Sequence, residues 1–173
     1  MANRTIPARL NRFNIYRTTS GFSRPMGVAT VTLPNLEAKS DALTGAGILG
    51  EIEMPTLGQF SSTEVELEWN TVTSDAVSLA PGVAEELTFR GEMQVADAMT
   101  GGIKLVGCRV VVRTIGKGLD LGSAEPASAT GTKNTLECFY IKIVVDGSER
   151  FELDKLNGIY RVDGVSLIDN RLI

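Results

Sequence analysis

At 173 residues, with 43% hydrophobic and 22% charged side chains, the chain (1–173) fits a single domain able to bury a core, which excludes a disordered polymer and a fibrous repeat. The net charge of −4 is unevenly placed: residues 1–24 hold Arg4, Arg9, Arg12, Arg17 and Arg24 and no acid, giving a +5 arm on a body of −9. The absence of histidine removes the usual general base, the usual metal ligand and every Ser-His or Cys-His nucleophile pair, so no enzyme activity, metal or cofactor is expected.

A basic, acid-free leader suits a targeting presequence, a nucleic-acid tail or an arm that docks on an acidic neighbour. Interleaved Ile6, Leu10, Phe13, Ile15, Tyr16 and Phe22 favour packing on protein, so Arg4, Arg9, Arg12, Arg17, Phe13 and Tyr16 are the candidate inter-subunit arm. A solvated arm of no special function stays open beside it. The leader lacks a secretory apolar region and no run approaches the ~18 apolar residues of a membrane span, which predicts a protein of the cell interior without a membrane anchor.

Residues 27–33 (GVATVTL) predict a short strand ended by Pro34, and residues 36–53 a hairpin turning at Thr44 to Gly47. Gly45, Gly47 and Gly50 form a G-x-G-x-x-G string, but no Lys-Ser/Thr follows and no helical pattern starts there, so they read as turn glycines. Strict alternation marks Glu64-Val65-Glu66-Leu67-Glu68-Trp69: Val65, Leu67 and Trp69 face a core, and Glu64, Glu66 and Glu68 form an acidic stripe. Ser74 and Asp75 offer an N-cap for a short helix over 76–80, stopped by Pro81-Gly82.

Alternation resumes from Glu86 to Gln94, Gly101-Gly102 reverses the chain, and Ile103 to Ile115 continues as a long strand, together an extended antiparallel hairpin. Residues 116–134 are rich in Gly, Ser, Ala and Thr, the composition of a mobile internal loop. Leu136 to Val145 is apolar on both faces and must be covered on both sides. Asp146-Gly147 and Asp163-Gly164 are type I′ hairpin signals. Cys108 and Cys138, each inside an apolar run, predict buried reduced thiols rather than a disulfide or metal site. Leu172-Ile173 suggests a docked C-terminus. The expected fold is mainly β: an antiparallel β-sandwich or barrel-like sheet pair with one short helix and long hairpins. Such sheets have unpaired edges that template association, and edge-to-edge closure into a ring consumes them.

The run Val31-Thr32-Leu33-Pro34-Asn35-Leu36, then Thr44-Gly45-Ala46-Gly47-Ile48-Leu49-Gly50, then Glu66-Leu67-Glu68-Trp69, resembles the major tail tube protein of contractile-tailed phages. Cys138-Phe139-Tyr140, Glu152-Leu153-Asp154-Lys155-Leu156-Asn157 and Val162-Asp163-Gly164-Val165 are similar to that family's C-terminal half. The resemblance implies a tail-tube fold and a subunit of hexameric rings stacked into a tube inside a contractile sheath. It implies partners in the tail sheath protein, a baseplate or tube initiator, and DNA passing through without specific binding. Phage-tail-like bacteriocins build similar tubes, and a secretion-type tube protein or a tube initiator is the alternative. The expected location is a virion tail or tail-like particle assembled in the bacterial cytoplasm. A lining that repels phosphate suits a DNA conduit, which makes Glu64, Glu66 and Glu68 the candidate lumen lining, against an acidic stripe on the outer wall.

Overall fold

The computed structural model describes residues 5–19 and 22–168. Its elements, in chain order, are β1 (Thr5–Thr19), β2 (Phe22–Met26), β3 (Thr30–Thr32), β4 (Ala38–Leu43), β5 (Ile52–Phe60), β6 (Glu64–Trp69), α1 (Ser74–Ser78), β7 (Ala84–Asp97), β8 (Ile103–Asp120), β9 (Thr132–Val145), β10 (Ser148–Asp154), β11 (Ile159–Val162) and β12 (Val165–Ser166). The fold is mainly antiparallel β with a single five-residue helix among the described residues, as the sequence predicts.

One sheet runs β12-β11-β10-β9-β8-β7-β1-β2, and it branches at β9. Residues 132–137 of β9 pair with β6, while residues 140–145 pair with β10. On its other side β9 stays bonded to β8 throughout, with register shifts at Arg113/Thr114 and Gly116/Gly118. Bulges bend a strand and raise its twist, which lets β6, with β3 along its far edge, lie over the core as a second layer. The two-stranded β4-β5 sheet stands apart from this framework.

The core fills the space between the layers. Val65, Leu67 and Trp69 of β6 meet Ile15, Leu87, Phe89, Val110, Val112, Leu136 and Ile141, with Ala76 and Leu79 closing the helix end. A buried polar group ties helix to sheet: Asn134 accepts from Trp69 Nε1 at 2.8 Å and donates to the carbonyls of Ala76 (3.0 Å) and Leu79 (3.4 Å). Both carbonyls lie at the helix C-terminus; that of Ala76 also accepts from Leu79 N at 3.3 Å, and the amide gives each a side-chain donor. Both Asp-Gly turns have left-handed backbone at both residues (φ 52 and 73 for Asp146-Gly147, 49 and 79 for Asp163-Gly164), the type I′ geometry expected of them.

Three expectations change. Thr73, not Ser74, caps α1, its Oγ1 accepting from Ala76 N at 3.1 Å. The loop expected over 116–134 is confined to 121–131, because β8 runs on to Asp120 and β9 begins at Thr132. Gly116 explains the misreading: it exchanges backbone hydrogen bonds with Gly82 and Val83, and a Cβ there would run into the Ala80 carbonyl oxygen. Glycine is needed for close approach within a strand, not for a turn. Third, the basic leader, read as an arm for a neighbour, is a sheet strand of its own chain. Its β1 pairs with β7 from Thr5↔Asp97 to Thr18↔Glu86, Ile15 is buried in the core and Phe13 stacks on Phe89 at 5.6 Å. The expected docking of Leu172-Ile173, and Arg4 itself, lie outside the described residues.

Candidate assembly surfaces

The acidic stripe sits where alternation places it. Glu64, Glu66 and Glu68 project from β6 on the face opposite Val65, Leu67 and Trp69. The stripe is not bare acid: Lys117 pairs with Glu64, and Lys133 reaches Glu68 at 3.0 Å and Glu66 at 3.7 Å. These bonds raise both ammonium pKa values, Lys117 through its hydrogen bond from Nζ to Glu64 and Lys133 through Glu68 first. Three carboxylates against two ammonium groups leave one negative charge per copy. The two lysines belong to β8 and β9, so only strand pairing brings them to the stripe.

The candidate arm residues find partners within the chain. Arg12 binds Glu92 with two nitrogens, at 2.8 and 2.9 Å, and holds its carboxyl below the ordinary range. Arg17 pairs with Glu85 and donates to Ser78 Oγ at 2.6 Å. Arg24 pairs with Asp75. Phe13 stacks on Phe89, and Tyr16 lies beneath the Arg90 guanidinium at 4.7 Å. Arg9 is exposed, and no ion pair involves it among the described residues.

Beside β6, a compact polar cluster closes the strand entry. Glu137 accepts from Ser62 Oγ (2.6 Å) and Thr63 N (3.1 Å) and sits 3.8 Å from Lys155, whose Nζ also donates to the Ser61 carbonyl and Thr63 Oγ1. Burial opposes the Glu137 charge, but these hydrogen bonds and the nearby lysines outweigh it and hold the carboxyl below its ordinary value. Every member has a partner, which is the arrangement of a structural clamp. Burial pushes the Cys138 thiol up to about 12 and also raises Cys108, so neither is an activated nucleophile, and both are free. Among the described residues no group of acids and thiols is arranged to hold a metal, and no helix is long and apolar enough to cross a membrane.

Two surfaces escape the sequence patterns. The β4-β5 hairpin exposes nearly every residue, including Leu43, Leu49, Ile52, Met54 and Leu57. The β7-β8 hairpin reaches beyond the rest of the sheet: residues 5–14 of β1 pair only with β7, and Ile103 to Val106 of β8 pair only with β7. This three-stranded ribbon exposes Ile6, Leu105 and Ile103, the last at 67%. The sequence signal was a strand with apolar residues on both faces in the 103–106 stretch, legible as unusual but not as exposed.

Residues 7–171 match the family described as phage tail tube protein FII. Two relatives are similar along nearly their whole lengths. The tail tube protein of Escherichia phage P2 is 27% identical over 176 residues, covering 95% of this chain and 94% of the relative. The major tail tube protein of Serratia phage KSP20 is 27% identical over 176 residues, covering 97% of this chain and 95% of the relative.

Proposed function

We propose that this chain, which belongs to the phage tail tube protein FII family, closes with copies of itself into hexameric rings that stack as the inner tube of a contractile tail. As a tail tube protein it is a structural component of a phage tail and assembles with itself into a tube. The ring, the surrounding sheath protein, the baseplate or initiator that seeds growth, assembly in the bacterial cytoplasm and the conduit for DNA form our reading of that role. A bacteriocin tube carrying ions, a secretion-type tube protein and a tube initiator are its alternatives.

The observation that carries the ring is the bare edge of β1. On the side away from β7, residues 5–14 pair with no strand among the described residues, and an edge of that length is a template for another strand. Ring closure removes it without a covering element. Negative-stain electron microscopy of the purified chain across concentration, with light scattering on the same samples, tests this. Hollow six-fold rings or tubes are expected. Particles that stay monomeric at all concentrations, even with the tail's own initiator added, overturn it.

For the bore we carry forward Glu64, Glu66 and Glu68 as lining. Their pairing with Lys117 and Lys133 makes that lining weakly negative, enough to avoid the phosphate contacts that would stall DNA. A second placement, on the outer wall, is favoured by topology, since β6 belongs to the short layer laid over the core while the longest strands present the opposite face. Labelling of a Glu66→Cys variant in intact tubes separates the two. A small reagent admitted through the ends and a bulky one excluded indicates the bore, and equal labelling by both indicates the wall. The candidate arm enters as an edge strand of the ring, with Arg9 left to meet a neighbour.

A further inference from the structure

Where the ribbon joins the rest of the sheet, beside Val144 of β9, its outward face carries a pair of charges that its own fold does not neutralise. Register places Arg90 directly opposite Arg109 on neighbouring strands, and like charges in that position are destabilising. No carboxylate pairs with either among the described residues; Arg90 rests on the Tyr16 ring, and no hydrogen bond involves Arg109 there. Between them and the next residues on the same face, Glu92 and Gly107, lies an open hollow of about 470 Å³. Gly107 creates the room, since a Cβ built there meets nothing within 4 Å. Toward the ribbon's tip the same face continues as Arg9, Leu105, Ile103 and Ile6.

The β4-β5 hairpin is the complement of that face. Asp41 and Met54 are direct cross-strand partners, and Leu43 and Ile52 share their face. Met54 and Ile52 are each about half exposed, at 50% and 49%. Asp41 spends one oxygen on the Ala42 N–H at 2.8 Å and keeps the other lone pairs available. Glu53 lies opposite Ala42 on the hairpin's other face, so Asp41 is the carboxylate on the Met54 face. An isolated two-stranded hairpin is marginal in water, so this one needs a surface to lie on.

We propose that the hairpin of one copy docks on the ribbon of another, Met54 entering the hollow between Arg90 and Arg109 while Asp41 neutralises the pair. The proposal rests on the tube reading above and assigns one of its contacts. It joins two terms that are weak alone: apolar area removed from water, and a carboxylate brought to two guanidinium groups that are uncompensated in the single copy.

Gly107→Leu puts a side chain into the hollow at a position where a Cβ meets nothing within 4 Å, so the variant should melt like the parent chain as a monomer and yet need about tenfold more protein to grow tubes, the change of one weakened contact. Arg109→Glu and Asp41→Lys should each impair growth, and the chain carrying both should recover it. A photo-activatable cross-linker in place of Met54, fired in assembled tubes, should link to residues 103–109 of a different copy. Tubes that form normally with Gly107→Leu, or a cross-link to another segment, overturn the docking and leave the tube reading intact. Failure of the parent chain to form tubes at all, with or without initiator, removes both. Binding of short double-stranded DNA that Arg109→Glu abolishes while tube growth is unchanged would assign the pair to nucleic acid instead.

Discussion

Strands β5 and β6 are separated only by Ser61, Ser62 and Thr63, and they lead opposite lives. β6 buries every second residue to within 3% of full burial, whereas β5 leaves all but Gly58 and Phe60 exposed. Both are extended and both pair, so β structure by itself says nothing about where stability resides. β6 lies between β3 and β9 and faces Trp69 into the helix and sheet; β5 pairs with β4 alone and meets the body at its end, where Phe60 packs edge-on against Tyr160 at 5.2 Å. The layered body holds the fold, and the hairpin with the ribbon supplies surface for other copies.

Deleting residues 2–24 gives the sharpest test of that division. An independent arm would leave a folded monomer, but here the deletion strips Ile15 and Phe13 from the core and β1 from its long ladder with β7. We expect the truncated chain to lack a cooperative urea transition. A truncated chain that unfolds cooperatively near the parent midpoint would return the leader to the status of an appendage.

Trp69→Ala comes next. It removes a ring that is 1% exposed and strands Asn134 Oδ1, so a loss of about 3–5 kcal/mol is expected from chemical denaturation. Gly116→Ala should cost about 1–3 kcal/mol because the backbone of Ala80 must move. By contrast, Met54→Ser or Leu57→Ser in the hairpin should stay within about 0.5 kcal/mol of the parent as monomers, while tube growth suffers. A large stability loss at Met54 would erase the contrast between the two regions.

Acid supplies a finer probe. Glu137 and Asp154 sit in the body, and both carboxyls are held below their ordinary values. For Asp154, burial opposes the charge, and hydrogen bonds from Asn157 Nδ2, Asn157 N and Leu156 N outweigh it. A depressed folded pKa contributes stability above the unfolded value, near 4, and loses it as pH falls through the folded value. The monomer should therefore weaken below about pH 4, and Glu137→Gln should flatten that slope in thermal melts. The smallest effect is expected from Arg12→Ala: its pair with Glu92 is exposed, and removal should leave the melting temperature nearly unchanged.

Much of the body was legible because its residues obey one rule at a time. The alternation of residues 64–69 survives as burial, the Asp-Gly turns adopt the geometry their chemistry favours, and Cys138 is buried as its apolar run implies, whereas Cys108, expected to be buried too, is only half-buried. The pairing of the charged leader within its own chain was not legible, because Arg12 and Arg17 lie on a strand whose neighbour supplies Glu92 and Glu85. Those partners are 80 and 68 residues away in the chain, beyond the reach of any local pattern. Glycines 116 and 118 were misread for a related reason: a strand that must approach another backbone looks, one residue at a time, like a loop.

By itself the sequence determined the fold class, the single short helix, the hairpin turns, the core face of residues 64–69 and, through its ordered motifs, the family. Only the tertiary structure decided that the basic leader is a sheet strand, that lysines temper the acidic stripe, that the 38–60 hairpin stands uncovered, and that Arg90 meets Arg109. The physical reason is that periodicity and turn chemistry are local, with a reach of a few residues. Pairing, charge compensation and exposure depend on which distant strands share an edge, and that is fixed only when the sheet closes its register.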